Sequence, residues 1–331
     1  MIHLTEAEPL IRAHFEDAFD AHTLSIDQGT LNVDRISSPS EIEILCVTVR
    51  SSVDKAVIDA LPNLKMVATG SAGFDHIDID HCREKGIVVS NVPEYGPAVA
   101  EYNIALMIAL SRKVHLAYVQ TLQRDFSPEG LLGRNLQGRT LGIIGTGIIG
   151  SRVAQMAAAF EMKVIAVDPN PNQSTQAAYV TMPELLAQSD IFALCCPLTP
   201  ETKHLLGKAE FEQMKRGVLI VNTSRGAVID TQALVRALNE GIVDGAALDV
   251  LEGETLLSSS TLNTTLANNP TAEQTQTIAE DLTLMRHPKV IITPHIAYYT
   301  ADSLEQIRVR TVGNVQAFLA GRPQNVVSSR K

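Results

Sequence analysis

Three side chains suited to carbonyl chemistry stand just past short apolar runs. Arg225 follows Val218-Leu-Ile-Val-Asn-Thr-Ser, Glu254 lies beyond Ala247-Leu-Asp-Val, and His295 follows Ile291-Ile-Thr-Pro. In an open parallel sheet, ligands bind outside the carboxyl ends of the strands, so residues there can converge on one site. Reduction of a 2-keto acid needs a proton donor at the ketone oxygen while hydride reaches the carbon. Histidine titrates near neutrality and suits that role. A neighbouring carboxylate, here Glu254, would stabilise the imidazolium. Arg225 offers a planar fork that matches a carboxylate and can polarise the ketone. Taken singly, each has an ordinary structural reading: a core histidine, a surface ion pair. Their shared position after three strands favours a site.

Hydride needs a carrier, and one turn is built to hold it. Gly145-Thr-Gly-Ile-Ile-Gly follows a strand at 141–144 and opens an Ala-rich helix at 148–160. Gly145 permits the tight turn, Gly147 lets the backbone approach a pyrophosphate, and Gly150 lets helix and strand pack closely. The helix N-terminus then offers free N–H groups and a positive dipole end to the phosphates. The next strand, 164–167, ends in Asp168, 18 positions after Gly150. A carboxylate there accepts hydrogen bonds from ribose hydroxyls and repels a 2′-phosphate, which favours NAD over NADP. Pro169 and Asn170 follow, with no Arg to accept that phosphate. A P-loop is excluded because Ser151 stands where its Lys is required.

The elements that must position these groups read as two successive strand–helix alternations. In the first, strands are predicted at 42–49, 65–69 and 87–90, with a helix at 53–61 ending before Pro62. In the second, strands at 141–144, 164–167, 191–196, 218–222, 246–250 and 290–293 are short and mostly apolar. Doubly buried parallel strands have that character. A helix with Pro183 in its first turn runs to 188. Residues 101–122 read as one long apolar helix, and 258–277, rich in Ser, Thr and Asn, as a loop. The expected fold is α/β, with two doubly wound parallel-sheet domains.

Composition narrows the class further. The chain has 331 residues, 45% of them hydrophobic, and a formal net charge of −10 without any block of Lys or Arg. Neither nucleic acid nor an anionic membrane is an expected partner. No apolar run is long enough to span a bilayer, and the first residues lack a secretory pattern, so the expected compartment is the cytoplasm. Cys46, Cys82, Cys195 and Cys196 form no C-x-x-C and read as small buried hydrophobes, with no metal site expected.

Several segments together resemble the D-isomer-specific 2-hydroxyacid dehydrogenases. They are Asn222-Thr-Ser-Arg-Gly, Ala247-Leu-Asp-Val-Leu-Glu-Gly-Glu, Thr293-Pro-His-Ile-Ala-Tyr-Tyr, Ser71-Ala-Gly-Phe-Asp-His-Ile-Asp, Val99-Ala-Glu and Cys196-Pro-Leu-Thr-Pro-Glu-Thr. The resemblance runs from about residue 64 to 327, in the family's order. It implies Arg225, Glu254 and His295 as the catalytic set, with His295 the acid–base. It implies substrate-carboxylate contact with the backbone around Ala72 and Gly73. For NAD it implies contacts at Ile148, Ile149, Asp168, Cys196, Pro197, Thr202, Thr223, Ser224 and Asp249, beside the three glycines. It also implies a discontinuous substrate domain, residues 1–100 plus 299–331, around a Rossmann NAD domain at 101–298. A homodimer would form through the apolar helix at 101–122.

The residues after His295, Ala297-Tyr298-Tyr299, look like the D-lactate and D-hydroxyisocaproate branch, where an aromatic ring closes the pocket. Tyr95 matches a pocket tyrosine of the same branch, and the 41 residues from Glu254 to His295 suit it. The expected reaction is NAD-dependent reduction of pyruvate to D-lactate, with other aliphatic 2-keto acids of hydroxyisocaproate, glycerate or hydroxypyruvate type as alternatives. The superfamily's NADH-sensing transcriptional corepressors keep the same triad. The lack of Trp and of an extended tail argues against that reading. Formate dehydrogenase chemistry needs no acid–base pair, so Glu254 beside His295 argues against it.

Overall fold

The computed structural model describes every residue except 8, 20–23, 94–96, 258–269 and 328–331. The chain forms two compact units, one of Met1–Gly96 with Tyr299–Lys331, the other of Pro97–Tyr298.

The first unit is a five-stranded sheet of β1 (Ile2–Leu4), β2 (Leu24–Ile26), β3 (Ile44–Val47), β4 (Met66–Thr69) and β5 (Val88–Ser90). All pairs are parallel and the order is β2-β1-β3-β4-β5. Helices α1 (Pro9–Ala18), α2 (Lys55–Ala60) and α3 (Ile79–Glu84) and the C-terminal helix Ala301–Leu319 cover it. Side chains alternate across a strand, so a sheet covered on both faces must be apolar at consecutive positions. Ile44, Cys46, Met66 and Ala68 pack on one face with Phe15 and Val315. Leu45, Val47, Val67 and Val89 pack on the other with Ile58 and Cys82. The short strands β1 and β2 were not anticipated: three residues each are too few to show a period.

The second unit holds α4 (Ala98–Ser111), α5 (Val114–Leu122), β6 (Thr140–Ile144), α6 (Ile148–Ala159), β7 (Lys163–Val167), β8 (Ala178–Tyr179), α7 (Met182–Gln188) and β9 (Ile191–Leu194). It continues with α8 (Lys208–Gln213), β10 (Val218–Asn222), α9 (Thr231–Glu240), β11 (Val243–Leu248), α10 (Glu254–Leu257), α11 (Ala272–Arg286) and β12 (Val290–Ile292). The sheet is parallel throughout, in the order β12-β11-β10-β9-β6-β7-β8. The connections leave β6 in opposite directions toward β7 and β9. This reversal of strand order opens a crevice at the carboxyl ends of β6 and β9, where doubly wound folds bind ligands.

Two elements differ from expectation. The single helix expected at 101–122 is two, broken at Lys113, whose φ is +53°. The segment 130–134 causes the break. Arg134 N–H donates to the Ser111 carbonyl at 2.8 Å and Lys113 Nζ to the Gly130 carbonyl at 2.9 Å. The Ser111 carbonyl, which would continue the helix, is thus taken by a residue about twenty positions away, and the Lys113 side chain ties the break to the same segment. The loop expected at 258–277 contains the start of α11, and residues 258–269 lie outside the described residues. Thr271 accepts from the Gln274 N–H while the Gln274 side chain accepts from the Thr271 N–H. This reciprocal capping box starts a helix within a polar tract. Among the described residues no helix is long and apolar enough to cross a membrane.

Candidate active site

The glycine turn closes the carboxyl end of β6. Gly145 has φ +92°, and a Cβ there would lie 2.8 Å from the Cys195 carbonyl oxygen. A Cβ on Gly150 would lie 2.0 Å from the Gly145 carbonyl oxygen. These two positions are glycine because the protein's own backbone fills the space. Gly147 is different: a Cβ there would meet nothing within 4 Å. Gly147 is the N-cap of α6, so this open space lies at the helix N-terminus. That space and the α6 dipole fit a dinucleotide pyrophosphate. Ile148, about half exposed, and Ile149 form the first turn beside it.

Asp168 follows β7 and is tied back to the turn. Its Oδ2 accepts from the Thr146 N–H at 2.6 Å and the Thr146 hydroxyl at 3.1 Å, and its Oδ1 accepts from the Asn170 N–H at 2.7 Å. The Thr146 hydroxyl is in turn 2.9 Å from the Tyr179 hydroxyl. A carboxylate has about four lone-pair positions, so acceptor capacity remains for ribose hydroxyls. Cys196 is buried at the end of β9, and burial pushes its thiol up to about 11, which keeps it protonated and inert. The loop beyond is stapled by Thr202, whose hydroxyl donates to the Pro197 carbonyl at 2.6 Å.

The Arg225 turn leaves β10 and is held by Asn222. Asn222 Oδ1 accepts from the Ser224 N–H at 2.9 Å and the Ser224 hydroxyl at 2.8 Å, and its Nδ2 donates to the Arg225 carbonyl at 2.9 Å. Thr223 is buried and accepts at 3.1 Å from Asn103 on α4. One Arg225 guanidinium nitrogen donates to the Ser224 carbonyl at 2.8 Å.

His295 occupies a strained position, with φ +55°. Few non-glycine residues adopt that region, and those that do often serve a site. Its backbone N–H donates to the Asp249 carbonyl at 2.8 Å, which pins the turn. Its Nδ1 lies 2.8 Å from Glu254 Oε1. Tyr298 packs edge-on to the imidazole, with ring centroids 6.4 Å apart. Asp249, implied as a cofactor contact, is 1% exposed and turned toward this segment. Its Oδ1 accepts from the Thr293 hydroxyl at 2.5 Å and the Ile296 N–H at 3.0 Å, and its Oδ2 from the Ala297 N–H at 2.8 Å. Burial raises its carboxyl above the usual range, against these bonds.

A family model for the NAD binding domain of the D-isomer specific 2-hydroxyacid dehydrogenases matches residues 104–297. The chain belongs to this family. It is 38% identical over 321 residues to 2-hydroxyacid dehydrogenase homolog 1 of Schizosaccharomyces pombe, covering 94% of each chain. It is 38% identical over 282 residues to the D-lactate dehydrogenase of Escherichia coli, covering 82% of each. The crystal structure of D-lactate dehydrogenase from Aquifex aeolicus complexed with NAD and lactic acid superposes with a TM-score of 0.88. The identity there is 35%, over 97% of this chain and 96% of that one.

In this 2-hydroxyacid dehydrogenase the cofactor is NAD, and the turn at Gly145–Gly150 belongs to its NAD binding domain. Ala72 and Gly73 lie in the first unit, on the loop after β4. The carbonyls of Ser71, Ala72, Gly73 and Phe74 accept bonds from within that unit, from Val92 N–H, Asn91 Nδ2, the Ser71 hydroxyl and Ile77 N–H. Each of these carbonyls thus accepts a bond from within the unit. Tyr95 lies outside the described residues. Sequence reasoning missed Asn222 and Asn103, which hold the Arg225 turn. Asn222 opens one of the motifs above and closes an apolar strand, but neither signal tells its role in holding the turn, and Asn103 has no signal.

Proposed function

We propose that this dehydrogenase reduces a 2-keto acid to the D-2-hydroxy acid, with pyruvate and D-lactate as its pair and His295 as the acid–base. The observation that carries this reading is the 2.8 Å hydrogen bond from His295 Nδ1 to Glu254 Oε1. A carboxylate on Nδ1 sets the tautomer, so Nε2 is the atom that gives or takes the proton. Glu254 stabilises the imidazolium in the proton-donating state. Bound NADH supplies the hydride. Arg225 pairs with the substrate carboxylate and polarises the ketone. Ala72 and Gly73 are assigned to the substrate carboxylate through backbone N–H groups. Tyr298, beside His295, and Tyr95 are assigned to the small aliphatic side chain of the substrate. The aromatic residues after His295 and the similarity to D-lactate dehydrogenases support pyruvate over larger 2-keto acids.

The reading extends to a cytoplasmic homodimer, paired through α4 and α5. On α5, Val114, Tyr118, Val119 and Leu122 are each more than half exposed. Apolar side chains clustered on one helix favour a covering subunit.

The test is a panel of 2-keto acids assayed with NADH and NADPH. Pyruvate with NADH is expected to give the highest kcat/KM. Preference for a branched or hydroxylated 2-keto acid would overturn the substrate assignment. Tight NADH binding without turnover of any member would overturn the catalytic one.

A further inference from the structure

One buried carboxyl beneath the acid–base pair has no part in the chemistry above. Asp281 lies on α11 and is fully buried. Its Oδ2 accepts from the Gly253 N–H at 2.8 Å. Gly253 immediately precedes Glu254, and a Cβ at 253 would lie 2.8 Å from that same oxygen, so a side chain there would push the carboxyl aside. The turn that follows is built on Gly253, whose carbonyl accepts from Leu256 and Leu257 N–H at 2.8 and 3.2 Å. Glu254 opens α10 from this anchor, with Oε1 on His295 and Oε2 at 3.4 Å from the Leu251 N–H.

We propose that Asp281 is a positioning residue for the reduction: by holding the Gly253 N–H it fixes the turn at 251–254 and aims Glu254 at His295. The inference rests on the reading of Glu254 and His295 as the acid–base pair. A buried carboxyl is costly, and three acidic neighbours make this one more so. Burial, and then the charges of Glu252, Glu280 and Glu254, push Asp281 up to about 7 against the Gly253 hydrogen bond. Glu252 is itself hydrogen-bonded to His204 at 2.6 Å and to the Thr231 hydroxyl at 3.0 Å. Of the elements packed on α11, α9 carries Arg236 and Glu240 on its exposed side and β12 carries no titratable residue. A hydrophobic residue at 281 would satisfy packing alone; a hydrogen-bond acceptor is needed only to hold the backbone of Gly253.

The test uses the full-length enzyme with pyruvate and NADH. Asp281→Asn keeps an acceptor oxygen for the Gly253 N–H. It is expected to hold kcat within about threefold. It should also lower the pH above which pyruvate reduction falls off by roughly half a unit, because the anion present above neutrality is gone. Asp281→Ala removes the acceptor. Its kcat is expected to fall about tenfold or more, with the KM for NADH within about twofold, because the pair is misaimed while the cofactor turn is untouched. A double-mutant cycle separates the routes: in a Glu254→Gln background, Asp281→Ala should cost less than about threefold, since the group it aims is gone. Full additivity, or an Asp281→Ala enzyme with wild-type kcat, overturns the inference. If Asp281→Ala does not fold, an Asp281→Asn enzyme with an unmoved pH profile overturns it. A Glu254→Gln enzyme with undiminished turnover would instead overturn the acid–base reading itself.

Discussion

Two glycines of one turn should fail in opposite ways. Gly150→Ala places a methyl carbon 2.0 Å from the Gly145 carbonyl oxygen and 3.2 Å from the Cys195 Cβ. Carbon and oxygen need more than 3 Å, so the β6–α6 turn must open by about 1 Å against a backbone neighbour that cannot rotate away. Overpacking of this kind costs about 1–3 kcal/mol, and a rigid backbone contact puts the expected loss at the upper end. Gly147→Ala meets nothing within 4 Å, and its backbone, φ −63° and ψ −161°, suits any residue. Losing glycine freedom in the unfolded chain stabilises by about 0.4–1 kcal/mol, and losing glycine at an N-cap offsets a similar amount. Stability should therefore change by less than about 0.5 kcal/mol. Its methyl group instead occupies the space against the α6 N-terminus that the pyrophosphate requires. NADH affinity should fall at least about tenfold, or about 1.4 kcal/mol. Urea unfolding of both variants without cofactor, together with NADH titration by nicotinamide fluorescence, separates the outcomes. A Gly147→Ala protein that binds NADH like the wild type would refute the reasoning, because the open space would then not be the cofactor cradle. Equal destabilisation by both substitutions would refute it too.

Three further outcomes are expected. Glu254→Gln should lower kcat for pyruvate reduction about 100-fold and lower the pH above which reduction falls off, because the His295 imidazolium loses its anion; an unmoved limb in the pH profile would count against that role. Asp168→Ala should raise kcat/KM with NADPH relative to NADH at least about tenfold, by removing the charge that repels a 2′-phosphate; a ratio unchanged from wild type would locate cofactor choice elsewhere. Asp281 should make stability pH-dependent. Its folded carboxyl, near 7, holds a proton that the unfolded chain releases near 4, so its stabilising contribution is complete below pH 4 and is lost as pH rises to 7. Asp281→Asn should remove up to about 1.4 kcal/mol per pH unit of that slope, and parallel urea-unfolding profiles between pH 4 and 8 would show that the carboxyl is not raised.

What the sequence makes legible divides along the range of the forces involved. Consecutive apolar residues such as Val218-Leu-Ile-Val announce a doubly covered parallel strand, because each residue meets a helix on one face or the other. The glycine turn is equally plain, because its spacing shows within six residues of chain, although the Cys195 carbonyl that crowds Gly145 comes from β9's far end. The break between α4 and α5 is not, because the groups that end α4 come from 130–134 and carry no mark at 111–113. The segment at 270–286 misleads more deeply. Its first part, 270–277, falls in the Ser-, Thr- and Asn-rich tract read as a loop, yet Thr271 and Gln274 cap a helix whose buried side is Ile278, Asp281 and Leu284. A carboxylate in the middle of that buried side breaks the apolar period that would have revealed the helix. The break in the pattern is itself the signal. A buried face that places Asp281 where an apolar residue would pack gives up stability there, and the Gly253 N–H beneath Glu254 is the one described partner that accounts for it.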